Sequence, residues 1–231
     1  MQRTRIKICG ITREEDLRAA VAAGADALGF VFYRASPRYV TPERAGELCA
    51  ALPPYVSAVA LFVNATVEEV RAVAASAPLS LIQFHGDETA AECAALAAAV
   101  QRPYVRAFRV RPDTTQDELL EYERANRAAS PWFSGILLDT WVDAYGGTGK
   151  VFDWSLIPKE LAPRVVLSGG LNVQNATDAV VRFRPFAVDV SSGVEAQKGI
   201  KDARKLAGFI GAVRAADAII LSETSHERTS W

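Results

Sequence analysis

Eight times between Arg5 and Val190 the chain passes through a short apolar stretch of strand length and then turns polar, with helix-start residues or helical spacing behind it. The stretches cover 5–9, 27–32, 56–63, 79–84, 104–108, 132–139, 164–168 and 186–190. Apolar strands separated by helices imply parallel pairing with right-handed crossovers, and eight such units within about 210 residues match a closed (β/α)8 barrel. The rival is an open doubly wound sheet. It would carry G-x-G-x-x-G after its first strand, where this chain reads Cys9-Gly10-Ile11-Thr12.

Helix starts punctuate the pattern. Thr12-Arg13-Glu14-Glu15 reads as a cap with Glu at the third helical position, as do Thr66 and Glu69, and Thr41 is followed by Pro42. No linker divides the chain, so residues 1–216 are expected to form one barrel domain and 217–231 a polar tail beyond the last helix. The segment 141–154 is long and rich in glycine, and it follows a strand ending in Asp139, which suggests a lid over the strand ends.

A formal net charge of −1 gives no field for nucleic acid, and no apolar run is long enough to cross a bilayer, so a cytoplasmic enzyme is expected. The three cysteines stand far apart and the only histidines are His85 and His226, which argues against disulfides and against a metal. The expected partner is a small phosphorylated molecule, with neither nucleic acid nor membrane involved, and the chain is a monomer or a homodimer.

In a barrel of this kind the reacting groups sit at the carboxyl ends of the strands. In 5–9, Lys7 and Cys9 share one face and Ile6 and Ile8 the other, so the first strand ends on an inward thiol. Cys49 and Cys93 lie in helical pattern and read as buried hydrophobes. Asp139 closes Gly135-Ile136-Leu137-Leu138-Asp139 and can point into the mouth, although a loop anchor is the alternative. Asp189 has the same geometry in the eighth strand, and a Lys7 to Asp189 ion pair in the interior is a structural reading of both.

Ser168-Gly169-Gly170-Leu171 after strand seven and Ser191-Ser192-Gly193 after strand eight have the composition and place of a barrel phosphate site. Gly146, Gly147 and Gly149 precede Lys150, but Ala144 stands where a P-loop needs Gly and Val151 where it needs Ser or Thr, which excludes that motif. Arg38, on the loop after strand two, can hold a carboxylate bidentately. Gln83 and His85 straddle the end of strand four, where His85 reads more readily as a hydrogen-bonding support than as a catalyst.

The segments KICGIT, GFVFYRASPRYV, QFHGDE, LLDT, GGTGKVFDW, LSGGL and DVSSGVE occur in that order. Together they resemble the phosphoribosylanthranilate isomerase family of tryptophan biosynthesis, from the first strand to about Arg214. The resemblance implies an Amadori rearrangement of N-(5-phosphoribosyl)anthranilate without cofactor or metal. It also implies Cys9 as general base, Asp139 as general acid and Arg38 as the holder of the anthranilate carboxylate. The loops around Gly147, Gly170 and Gly193 would hold the 5-phosphate. That chemistry asks for a carboxyl that carries a proton and a thiol that sheds one, and a nearby cation such as Lys7 is expected to favour the thiolate. An aminoaldose-phosphate isomerase of histidine biosynthesis, expected to use paired aspartates, is disfavoured by Cys9, and an idle phosphate-binding barrel is disfavoured by Cys9, Asp139 and Arg38 together.

Overall fold

A computed structural model describes residues 3–140 and 153–228, with side chains up to residue 223. Eight parallel strands close a barrel in chain order: β1 (Arg5–Cys9), β2 (Ala27–Val31), β3 (Ser57–Phe62), β4 (Leu81–Phe84), β5 (Tyr104–Val110), β6 (Phe133–Thr140), β7 (Val166–Leu167) and β8 (Ala187–Val190). β1 lies between β2 and β8, with Cys9 opposite Gly29 and Lys7 opposite Asp189. An antiparallel pair, β9 (Glu195–Gln197) and β10 (Ile200–Lys201), follows β8.

Around the barrel lie α1 (Glu14–Ala23), α2 (Pro42–Ala50), α3 (Val67–Ser76), α4 (Ala90–Val100), α5 (Gln116–Ala129), α6 (Ala176–Phe183) and α7 (Ala203–Arg228). Threonines start four of them. Thr66, Thr89 and Thr115 form capping boxes with Glu69, Glu92 and Glu118, and Thr41 accepts from the Arg44 N–H.

Alternation sorts the strand residues between two environments. Ile6, Ile8, Leu28, Phe30, Ala60, Phe62, Ile82 and Phe84 are fully buried in the layer between barrel and helices. Each large side chain there contributes about 1.5–3 kcal/mol of transfer free energy. Ring contacts run across this layer from Phe32 through Phe62, Phe84 and Tyr104 to Phe133. The other strand face carries the polar groups of the site.

Two expectations need correcting, and one can be followed only in part. Thr12 does not cap α1: the N-cap is Arg13 without a side-chain bond, because the Thr12 hydroxyl donates instead to the Gly199 carbonyl at 2.7 Å and ties the first loop to the β9–β10 turn. Between β6 and β7 the described residues contain only 3-10 turns, Trp154–Leu156 and Ala162–Arg164, and buried Trp154, Ile157 and Leu161 cover the barrel there. The expected tail is not beyond the last helix, since α7 continues to Arg228. Ile220 is buried under it, and Asp217 accepts the Thr4 N–H at 3.0 Å, so this part of the helix packs on the amino ends of the strands.

The proposed lid lies outside the described residues except for Asp153 and Trp154, and Gly146, Gly147 and Gly149 lie outside with it. Among the described residues no helix is long and apolar enough to cross a membrane.

Candidate active site

One pocket opens at the carboxyl ends of the strands. Cys9, Arg38, Gln83, His85, Asp139 and Asp189 line it, together with the loops Ser168 to Leu171 and Ser191 to Ser192. In order around the mouth come Asp139 on β6, the two glycine-containing loops after β7 and β8, Cys9 on β1 and Arg38 after β2. The loops expected to hold phosphate therefore stand between the acid and the base candidates.

Cys9 is buried and packs with Val31 and Leu61, and Tyr33 and Val63 complete an apolar patch at the mouth. Behind it, Lys7 Nζ donates to both oxygens of Asp189 at 2.9 Å, which forms the interior ion pair expected from the alternation. Burial works against the Lys7 ammonium, but Asp189 and then Cys9 outweigh it and raise its pKa. For Cys9 itself, burial pushes the thiol up, Lys7 pulls it down, Asp189 pushes it up and Lys201 pulls it down, with burial prevailing. The expected influence of Lys7 is present. It does not win, because much of its charge is already matched by Asp189.

Arg38 reaches the pocket from the loop after β2. Gly10, with φ +80°, makes room for it, since a Cβ there would lie 2.5 Å from Arg38 Cδ. Nε and Nη2 of Arg38 donate side-on to the two oxygens of Glu195 at 2.7 and 2.8 Å. One fork of the guanidinium is thus occupied, and a ligand carboxylate would take the end carrying Nη1, which has no partner among the described residues. Burial opposes the Arg38 charge, but Glu195 outweighs it and raises the pKa.

Asp139 is held from both sides. Its Oδ1 accepts the Thr140 N–H at 2.8 Å, and its Oδ2 lies 3.0 Å from His85 Nε2. Gln83, fully buried, places its amide nitrogen 2.9 Å from His85 Nδ1. Gln83, His85 and Asp139 thus form a chain of hydrogen-bond contacts whose donor directions follow the tautomer of the ring. His85 is thereby a support for Asp139. Gly169, with φ +81°, allows the approach, because a Cβ there would stand 2.8 Å from Asp139 Oδ1.

The loop containing Gly169 and Gly170 leads into α6, while Ser192 and Gly193 begin a single 3-10 turn. The two loops touch: a Cβ on Gly193 would lie 1.9 Å from the Leu171 carbonyl oxygen. Ser191 Oγ donates to the Cys9 carbonyl at 3.0 Å, joining the second loop to the end of β1.

Two buried residues escaped the sequence reading. Glu195 sits at the end of a recognised loop, but nothing local marks it as the partner of Arg38. Lys201 belongs to no motif, and its side chain is fully buried beside Glu195 at 3.0 Å. Beside Lys198, Arg204 and Lys205 it reads as one more solvated cation, and nothing local sets it apart.

A (β/α)8 barrel with a thiol, a carboxyl group, an arginine and two backbone-rich loops converging at the strand ends defines an enzyme of small phosphorylated substrates. The sequence profile of the N-(5'-phosphoribosyl)anthranilate (PRA) isomerase family matches residues 6–212. The chain is 67% identical over 223 residues to the N-(5'-phosphoribosyl)anthranilate isomerase of Herminiimonas arsenicoxydans, covering 96% of this chain and 98% of that one. The enzyme of the same name from Dechloromonas aromatica is 56% identical over 218 residues, 94% of this chain and all of that one.

Among solved structures, the phosphoribosyl anthranilate isomerase of Thermotoga maritima superposes with a TM-score of 0.79 at 42% identity, over 92% of this chain and 99% of that one. A phosphoribosyl anthranilate isomerase bound to reduced 1-(o-carboxyphenylamino)-1-deoxyribulose 5-phosphate gives 0.77 at 39% identity, over 92% and 99%. The chain belongs to the N-(5'-phosphoribosyl)anthranilate isomerase family. It is an isomerase of tryptophan biosynthesis, converting N-(5-phosphoribosyl)anthranilate into 1-(2-carboxyphenylamino)-1-deoxyribulose 5-phosphate.

Proposed function

We propose that Cys9 is the general base and Asp139 the general acid of this isomerisation, with Arg38 holding the anthranilate carboxylate and the loops after β7 and β8 holding the 5-phosphate. The observation that carries the reading is their arrangement: acid and base line one pocket with the phosphate loops between them and Arg38 beyond the base. A substrate gripped at its carboxylate and its phosphate would lay its sugar carbons between Asp139 and Cys9.

The steps follow from the groups. Asp139 gives a proton to the ring oxygen as the anthranilate nitrogen lone pair forms the C1=N bond and the C1–O bond breaks. The Cys9 thiolate then takes the C2 proton; the C–H pair becomes the C1=C2 bond and the C=N pair returns to nitrogen. The enolamine so formed tautomerises to the ketone. The apolar patch of Val31, Leu61 and Tyr33 offers a surface for the aromatic ring, and the Gln83–His85 pair orients Asp139. A solved relative that binds reduced 1-(o-carboxyphenylamino)-1-deoxyribulose 5-phosphate supports a ligand with a carboxylate at one end and a phosphate at the other. Lys7 and Asp189 support the site from below, and the enzyme acts in the cytoplasm as a monomer or homodimer.

Steady-state kinetics with N-(5-phosphoribosyl)anthranilate tests the assignment. Cys9→Ala and Asp139→Asn should each lower kcat by a factor on the order of 10² or more, with unchanged circular dichroism. Near-normal kcat in either variant removes that residue from its role.

A further inference from the structure

Arg38 and Glu195 cancel each other's charge. Both are almost fully buried, and their side-on contact is a complete, neutral ion pair. A substrate carboxylate approaching the remaining end of the guanidinium would meet a cation whose charge is already matched from behind. The clamp therefore needs a further positive charge.

Lys201 is placed to supply it. Its Nζ lies 3.0 Å from Glu195 Oε1, 3.1 Å from the Ser191 carbonyl oxygen and 3.4 Å from Ser191 Oγ. The Ser191 hydroxyl spends its proton on the Cys9 carbonyl, so towards Lys201 it accepts. Three acceptors call for three N–H donors, which only the ammonium form provides. Burial works against that ammonium, Glu195 and then Cys9 work for it and Arg38 against it, and burial prevails to lower its pKa, so the case for the ammonium rests on its three acceptors. Glu195 in turn is pushed up by burial, but Arg38 and Lys201 outweigh this and hold its carboxyl below the usual range.

We infer that Lys201 is a positioning residue for the carboxylate clamp: it holds Glu195 and cancels its charge, so that Arg38, locked in place by Glu195, presents net positive charge to the substrate. The proposal rests on the reading of Arg38 as the clamp. The triad sums to +1. Nearby ions leave that sum intact, since Lys7 pairs with Asp189, and Asp16, which accepts the Lys201 backbone N–H, pairs with Arg13. The same cation favours the Cys9 thiolate and, through Ser191, braces the end of β1.

A charge cycle tests it. Lys201→Met leaves a neutral Arg38–Glu195 pair, and Glu195→Gln/Lys201→Met restores the +1 while keeping an oxygen for Arg38 to bond. Affinity is measured for 1-(2-carboxyphenylamino)-1-deoxyribulose 5-phosphate and for the same compound without its carboxylate, beside KM and kcat, in folded variants. Lys201→Met should raise KM and weaken the carboxylated ligand on the order of tenfold, with little change for the other ligand. The double variant should return most of that loss, and Lys201→Arg should bind within a fewfold of the parent.

An unchanged KM in Lys201→Met, or a double variant no better than the single, overturns the inference. If Lys201→Met does not fold, the double variant decides alone: binding of the carboxylated ligand within a fewfold of the parent supports the charge count, and its loss overturns it. Arg38→Ala separates the two layers. If that change weakens both ligands equally, the clamp reading itself fails; if it is selective for the carboxylate while Lys201→Met is not, only the role of Lys201 fails.

Discussion

The mouth of the barrel and the layer between barrel and helices each bury cysteine, and the two places treat the thiol differently. In the helical layer, burial raises Cys49 to about 11 and Cys93 to about 12. At the mouth, burial also raises Cys9, but two buried lysines, Lys7 and Lys201, pull the other way. Desolvation alone, at Cys49, or with Arg106 offset by Glu88 and Glu92, at Cys93, leaves a thiol inert; desolvation opposed by two lysines makes one whose proton can be taken when a substrate arrives. All three thiols are buried. The charges within reach are what differ.

The largest effect that would sharpen this contrast comes from breaking a cation's own support. Lys7→Met leaves Asp189 buried and unpaired beneath Cys9, and should cost about 3–5 kcal/mol of stability, read from urea unfolding. A loss below about 1 kcal/mol would mean that water or a shifted Lys201 takes over the pairing. Next, Cys9→Ser should reduce kcat by a factor on the order of 10² while Cys93→Ser leaves kcat within about twofold. Equal losses would erase the distinction between the two regions.

Smaller again is the structural cost in the helical layer: Cys93→Ser places a hydroxyl in a fully buried apolar site and should lower stability by about 1–3 kcal/mol. The smallest and most diagnostic effect is on pH dependence. With Cys9 raised and needed as thiolate, kcat/KM should climb as pH rises on the alkaline side. In Lys7→Met/Asp189→Asn the climb should move to higher pH, because the pull of Lys7 on the thiol exceeds the push of Asp189. A move to lower pH would contradict that balance.

Much of this was legible in the chain because the barrel writes its interior with period two. Lys7, Cys9, Asp139 and Asp189 could be set on the inner face from alternation, and their strand-end positions pointed to the mouth before any contact was known. Local chemistry failed where a side chain served a distant partner. Thr12 has the sequence of a cap and spends its hydroxyl on Gly199, 187 residues away. Lys201 and Glu195 were invisible for the same reason: Arg38 lies 157 residues from Glu195, and no spacing rule joins them. The end of the last helix was misplaced because polar composition outweighed the single buried Ile220, which only the packed structure reveals as an anchor. Arg38 was found, but the occupation of half its fork by Glu195 could not be.

The ion pair closing the barrel joins residues 182 positions apart. At about 5–20 residues per second of synthesis, Lys7 emerges from the ribosome some ten to forty seconds before Asp189 exists to receive it. For that interval the first strand has neither its outer neighbour nor its counter-charge, so the amino-terminal half of the chain cannot settle into its final form. Completion of the barrel is thereby tied to the arrival of its eighth strand, and a chain cut short before Asp189 lacks both the strand that pairs with β1 and the carboxylate that matches Lys7.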